Sequence, residues 1–229
     1  MREAGFPRFR AIAEHAVLAE FGESASDSAY RQVIGLDAAL AAAAFPGFVE
    51  AVPAFVSLLV EFDPGVTDHR SVEQALRGLL QHPALPVPQG QLHEVAVCYD
   101  ADLAPDLAAV SAQTGLGPDA VIAAHLAAEY RVVIYGFAPG YAYLTGVPAA
   151  LHLPRKPAAL RGVAAGSVIV AGAQCLITTL TMPTGWWIIG RSPTRIFLDD
   201  PARPFLFAIA DRVRFRRINR ADHDAAMRG

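Results

Sequence analysis

Short apolar runs alternate with two helix-periodic segments over the first hundred positions. "AVLAEF", residues 16–21, predicts a short strand, and the alanine-rich stretch 28–44 predicts a helix that stops before Pro46 and Gly47. "FVEAVPAF" alternates polar and apolar residues, and "VSLLVEF", residues 56–62, reads as a buried strand. Ser71 and Gln74 have the spacing of a capping box. Behind them Val72, Ala75, Leu76, Leu79 and Leu80 fall on one helix face. "EVAVCY", residues 94–99, completes a β-α-β-β-α-β series, the order of a ferredoxin-like split unit.

The pattern changes after residues 81–91, "QHPALPVPQGQ", where three prolines and a glycine predict a linker. Two helical pieces follow. Pro105 and Pro118 sit at first helical positions, with Gly115 and Gly117 between the helices. From Arg131 to about Ile218, short strand candidates and Gly/Pro turns dominate, which predicts a compact β-barrel. The expectation is an α+β chain with a ferredoxin-like α/β domain over residues 1–90. A β-barrel domain led by a helix pair follows over 91–229.

Composition narrows the choices. Hydrophobic residues make up 53% of the 229 positions and charged residues only 18%, an apolar balance that suits burial within a complex. A formal net charge of −3 argues against a general nucleic-acid binder. The helix pair imitates a helix-turn-helix, yet residues 102–129 contain no Lys or Arg to meet phosphates. Cys98 and Cys175 have neither CxxC spacing nor a Cys/His cluster, so neither a zinc site nor a disulfide framework follows. Residues 162–190 carry no Asp, Glu, Lys, Arg or His. Four Gly/Pro breaks and interleaved Ser, Thr and Gln nevertheless make them buried strands rather than a membrane span. The first ten residues lack the apolar core of an export signal, so a cytoplasmic location is expected.

Four stretches carry the candidate chemistry: "GFAPGYAYL" at 136–144, "LPRKP" at 153–157, "AAGSVIVAGAQ" at 164–174 and "PTGWWIIGRSP" at 183–193. The first lacks the lysine of a Walker loop and the third glycine of a Rossmann turn, so this chain alone is not expected to bind ATP. As spacing alone, it reads equally as a corner in a barrel.

Together, in this order, the four stretches resemble the family of 5-oxoprolinase B subunits, also described as KipI-like or allophanate hydrolase subunit 1. "TGLGPDAVIAAH", "VPAFVSLLVEFDP" and the terminal "DRVRF" extend the likeness over nearly the whole chain. The resemblance implies an N-terminal α+β domain and a C-terminal cyclophilin-like barrel. It also implies a partner, the larger C-type 5-oxoprolinase protein, which carries the other half of a carboxyltransferase-type module. With a third component, such an assembly opens 5-oxoproline to glutamate using ATP and magnesium, and the B-type component alone is inactive. Two other readings stay open: the B-half of a biotin-dependent urea or allophanate carboxyltransferase, and an inhibitory module acting on a sensor histidine kinase. The chain departs from the family pattern at Leu160, Ala173, Cys175 and Thr184. An alanine at 173 would strain a backbone that needs positive φ.

Arg155 and Arg191 are the foremost polar candidates, because a guanidinium fork grips the carboxylate of a lactam acid; each could instead be held by a surface carboxylate such as Asp199. Ser167 and Gln174 are candidate partners for an amide, or ordinary turn residues. Phe137, Pro139, Tyr143 and Trp186 would wall a small ring, or pack the core. His125 matches a family histidine and is the candidate general acid/base, against the alternative of a satisfied core histidine.

Overall fold

A computed structural model describes residues 5–81 and 90–228. Its contacts divide the chain into two units, Met1–Pro88 and Gln89–Gly229. Most of the expected proline-rich linker, residues 82–89, lies outside the described residues.

The first unit comprises β1 (Arg8–Ile12), β2 (Ala16–Glu20), α1 (Asp27–Ala42), β3 (Phe48–Pro53), β4 (Ser57–Phe62) and α2 (His69–Leu79). The four strands form an antiparallel sheet in the order β1-β2-β4-β3. The element order is therefore β-β-α-β-β-α rather than the expected β-α-β-β-α-β. Strand β1, "RFRAI", escapes the hydrophobic pattern because it is an edge strand whose arginines stay exposed. The segment expected to close this series belongs to the second unit instead.

Both helices start on side-chain caps. Ser26 accepts from the Ala29 N–H at the head of α1. At α2 the cap is Asp68, which accepts from the Ser71 N–H at 2.8 Å. The helix thus begins two residues before the expected Ser71, and Ser71 donates to the cap rather than forming it. Val72 and Leu76 are the fully buried members of its apolar face.

The second unit opens with β5 (Leu92–Val97) and the helix pair α3 (Leu107–Thr114) and α4 (Pro118–Ala127). It continues through β6 (Tyr130–Tyr135), β7 (Ala142–Thr145), β8 (Leu160–Val163), β9 (Ser167–Ala171), β10 (Gln174–Ile177), β11 (Met182–Thr184), β12 (Trp187–Arg191), β13 (Arg212–Arg217) and α5 (Arg220–Ala226). Seven strands pair in the order β12-β9-β10-β7-β6-β13-β5. A bridge between Cys98 and Arg191, with both N–H···O bonds made, joins the two ends and closes the barrel. β13 and β5 run parallel, and the other neighbours are antiparallel.

Outside the barrel, β8 and β11 form a two-stranded flap. The flap explains the uncharged run 162–190. Val168, Val170, Cys175, Ile177, Trp187 and Ile189 pack inside the barrel. Alternate residues Ile169, Ala171, Leu176 and Ile188 face outward and join Val163, Tyr141 and Trp186 in a second apolar layer. Successive side chains of a strand point to opposite faces, so strands covered on both sides have no place for charge. No helix among the described residues is long and apolar enough to cross a membrane.

Candidate functional site

The second apolar layer is incomplete, and the gap is a cleft of about 130 Å³. All four stretches singled out in the sequence contribute to its lining. Phe137, Tyr141 and Tyr143 come from the β6–β7 turn and β7, Arg155 from the segment before β8, Pro183 and Thr184 from the end of β11, and Gly185 and Trp186 from the β11–β12 turn. Ile169 and Leu176 form the apolar floor.

Backbone geometry makes the first wall. Gly140 has φ +71°, and an added Cβ would lie 3.2 Å from Thr179 Cγ2 and 3.3 Å from the Phe205 ring. Only glycine fits that corner without displacement. Thr179 Oγ1 donates to the Pro139 carbonyl at 2.7 Å, so Pro139 serves the corner through its backbone and is not in the cleft lining. Phe137, also left-handed at φ +72°, is 73% exposed and rests its ring 5.7 Å from that of Tyr141. A left-handed non-glycine residue costs about 1–2 kcal/mol, a local strain placed at the mouth of the cleft. Tyr141 donates to Met182 Sδ at 2.6 Å, and burial pushes its phenol up to about 12, so it stays protonated.

Trp186 is the other wall. Its ring lies edge-to-face with Tyr143 at 5.8 Å, and the Arg155 guanidinium sits over it at 5.7 Å from the centroid. Thr184 Oγ1 accepts the Trp186 N–H at 3.1 Å and fixes the turn that presents the ring. Arg155 is exposed and makes no ion pair among the described residues; Asp199, the suspected competitor, pairs with Arg195 at 2.6 Å. The cleft therefore presents one charged side chain, a cation, between aromatic walls. An ordinary cation–π contact of this kind is worth about 0.5–1 kcal/mol when exposed and leaves the guanidinium fork free for an anion.

The remaining candidates lie elsewhere. Ser167 is buried, its hydroxyl donating to the Ala164 carbonyl at 2.8 Å, which is turn chemistry. Gln174 is half-buried on β10, opposite Thr145 and Ala171. Arg191 closes the barrel with its backbone and donates Nε to the Ala165 carbonyl at 3.2 Å. Ala173 carries no strain, because the positive φ falls on its neighbour Gly172.

His125 is a core residue, not an acid/base at the cleft. It is 0% exposed, stacks on Phe215 at 4.4 Å, and has Nδ1 2.8 Å from the Tyr99 hydroxyl and Nε2 3.8 Å from Cys175 Sγ. Burial drives its pKa down to about 3 and drives the Cys175 thiol and Tyr99 phenol up. A neutral histidine, a thiol and a phenol thus share one buried cluster.

Sequence reading missed two polar pairs. Lys156 Nζ lies 2.7 Å from Asp106 Oδ2, largely buried. His93 Nε2 lies 2.7 Å from Asp211 Oδ2, and the same carboxylate accepts the Gln91 and Ala208 N–H groups. Asp211 thus ties together backbone around the parallel β5–β13 join. Each pair spans 50 or more residues, so no local spacing announces it.

Comparison with known proteins follows the same lines. Residues 7–207 match the carboxyltransferase domain, subdomain C and D. The 5-oxoprolinase B subunit of Bacillus subtilis (strain 168) is 32% identical over 228 residues, covering 93% of this chain and 94% of its own. The solved structure of TTHA0988 superposes with a TM-score of 0.76 at 38% identity over 90% of this chain, which spans 40% of that longer chain. The Kluyveromyces lactis urea amidolyase shares the fold, with a TM-score of 0.75 at 15% identity over 95% of this chain and 15% of its own.

Proposed function

Because the chain belongs to this carboxyltransferase-domain family, alongside the bacterial 5-oxoprolinase B subunits, we propose that it is the lactam-binding component of a complex that opens 5-oxoproline to glutamate. One observation carries the reading: Arg155, free of any carboxylate among the described residues, stands over Trp186 at the edge of an aromatic cleft. That arrangement suits a small, flat ring bearing one carboxylate. The guanidinium takes the carboxylate bidentately, while Trp186 and Tyr143 cover the ring and exclude water from it.

Opening the ring breaks the lactam C–N bond, adds the elements of water, and consumes ATP. Tyr141, Arg155 and His125 are unsuited to those steps. Tyr141 keeps its proton with a pKa of about 12, Arg155 cannot give one up, and His125 is sealed in the core. Nor does the cleft fit Mg-ATP, since its lining offers one cation and no carboxylate for the metal. This chain accordingly binds and orients the ring, and the nucleotide and the acting base come from larger partner proteins in the cytoplasm. The high apolar fraction, 53%, agrees with a surface that is covered by a partner.

Co-expression with the larger partners, followed by assay of 5-oxoproline-dependent glutamate and ADP formation, tests the proposal. The expected result is a co-eluting complex with balanced release of both products and no turnover by this chain alone. A complete complex that leaves 5-oxoproline intact would overturn it.

A further inference from the structure

We infer that Asp106 and Lys156 are positioning residues that hold Arg155 over Trp186, an inference that rests on the reading of the cleft given above. Arg155 sits between two anchored neighbours. On one side the Pro154 carbonyl accepts from Trp187 Nε1 at 2.8 Å, and on the other the Lys156 N–H donates to the Gly185 carbonyl at 2.7 Å. Both bonds tie the arginine segment to the turn that carries Trp186.

Asp106, at the head of α3, locks this seam from beneath. Its Oδ2 receives Lys156 Nζ and the Ile188 N–H, each at 2.7 Å, and its own N–H donates to the Ile188 carbonyl at 3.1 Å. Lys156 also lies 5.8 Å over the Trp187 ring. One carboxylate therefore links the residue after Arg155 to the residue two beyond Trp186. The pair is largely buried, so water screens it little and truncating one partner leaves the other uncompensated.

Arg155 itself is long and exposed, and among the described residues the contact recorded for its outer end is the one with Trp186. If the backbone beneath it loosens, the fork samples more rotamers and meets the ligand less often in the binding geometry. The clamp thus acts on anion affinity without touching the anion.

The test is a double-mutant cycle in the reconstituted complex, read as KM for 5-oxoproline, kcat and melting temperature. Lys156→Met should raise KM about five- to tenfold with kcat nearly unchanged, and Lys156→Arg should restore most of the affinity. On an Arg155→Ala background, Lys156→Met should add nothing further to KM while still lowering the melting temperature. Asp106→Asn, which keeps an acceptor for the Ile188 N–H and loses the charge, serves as a second variant should Lys156→Met not fold; it should raise KM in the same way. If Lys156→Met lowers only the melting temperature, or if its KM effect multiplies with that of Arg155→Ala, the clamp is merely structural and the inference falls alone. An Arg155→Ala complex with unchanged KM would remove the cleft reading together with this inference.

Discussion

Trp186 and Trp187 are adjacent in sequence, and each lies beneath a cation from the same short segment, Arg155 over one and Lys156 over the other. Their surroundings differ completely. Trp187 faces the barrel core and spends its indole N–H on the Pro154 carbonyl. Lys156 above it is neutralised by Asp106. Trp186 faces the outer layer beside the cleft, and Arg155 above it has no carboxylate among the described residues. Trp187 opens β12 and Trp186 is the turn residue before it, and the two side chains join different apolar layers. A cation over a tryptophan is therefore paired with a carboxylate on one face, while on the other the guanidinium has no carboxylate among the described residues.

Substitution at the inner pair should act on stability. Trp187→Ala removes a buried indole and its hydrogen bond, and is expected to cost about 3–5 kcal/mol in chemical denaturation. Trp186→Ala removes an equally buried ring, 5% against 7% exposed, but no indole hydrogen bond recorded among the described residues, so it should cost somewhat less stability and should in addition weaken ligand binding. Equal losses of stability at the two positions would break the distinction.

Acid should separate the faces next. His125 in the inner core has a pKa of about 3 against an ordinary 6.5, because burial disfavours the charged ring. Below pH 6.5 the unfolded chain takes up a proton that the folded chain refuses until about pH 3, so this contribution to stability is complete above 6.5 and is lost as pH falls. The slope approaches about 1.4 kcal/mol per pH unit, or roughly 2 kcal/mol by pH 5. Urea denaturation of the wild type and of His125→Gln between pH 7.5 and about 5 measures it. A wild type whose stability declines no faster than the variant's would show that His125 is protonated in the fold.

The smallest effect belongs to the turn. Thr184→Val leaves the Trp186 N–H without its 3.1 Å acceptor, and should cost about 1 kcal/mol in stability and a few-fold in KM, with Thr184→Ser close to wild type. A valine variant with unaltered KM would mean the turn holds Trp186 without the hydroxyl.

Much of this is legible in the sequence. The stretches 136–144, 153–157, 164–174 and 183–193 all reach the cleft, the first, second and fourth with a turn signal beside an aromatic or cationic residue and the third through the apolar Ile169. Strand phase is not legible. Arg155 and Arg191 look alike in sequence, yet Arg191 ends β12 and closes the barrel. His125 lies on a helix apolar around most of its circumference, so periodicity does not say that it points inward. Asp106 looks only like an acidic residue unfit for DNA, since its partner lies 50 positions away. The element order of the first unit escapes the pattern because β1 hides its strand character behind exposed arginines, and because alternation in β5 does not say which sheet the strand joins.

The central claim is that Arg155 over Trp186 grips the carboxylate of the ring. Arg155→Ala in the reconstituted complex tests it most directly, with kcat/KM on 5-oxoproline and melting temperature measured on the same sample. The account predicts a loss of about 1.5–3 kcal/mol in kcat/KM, roughly 10- to 150-fold, partly restored by Arg155→Lys, with the melting temperature unchanged. Full activity in the alanine variant would contradict it.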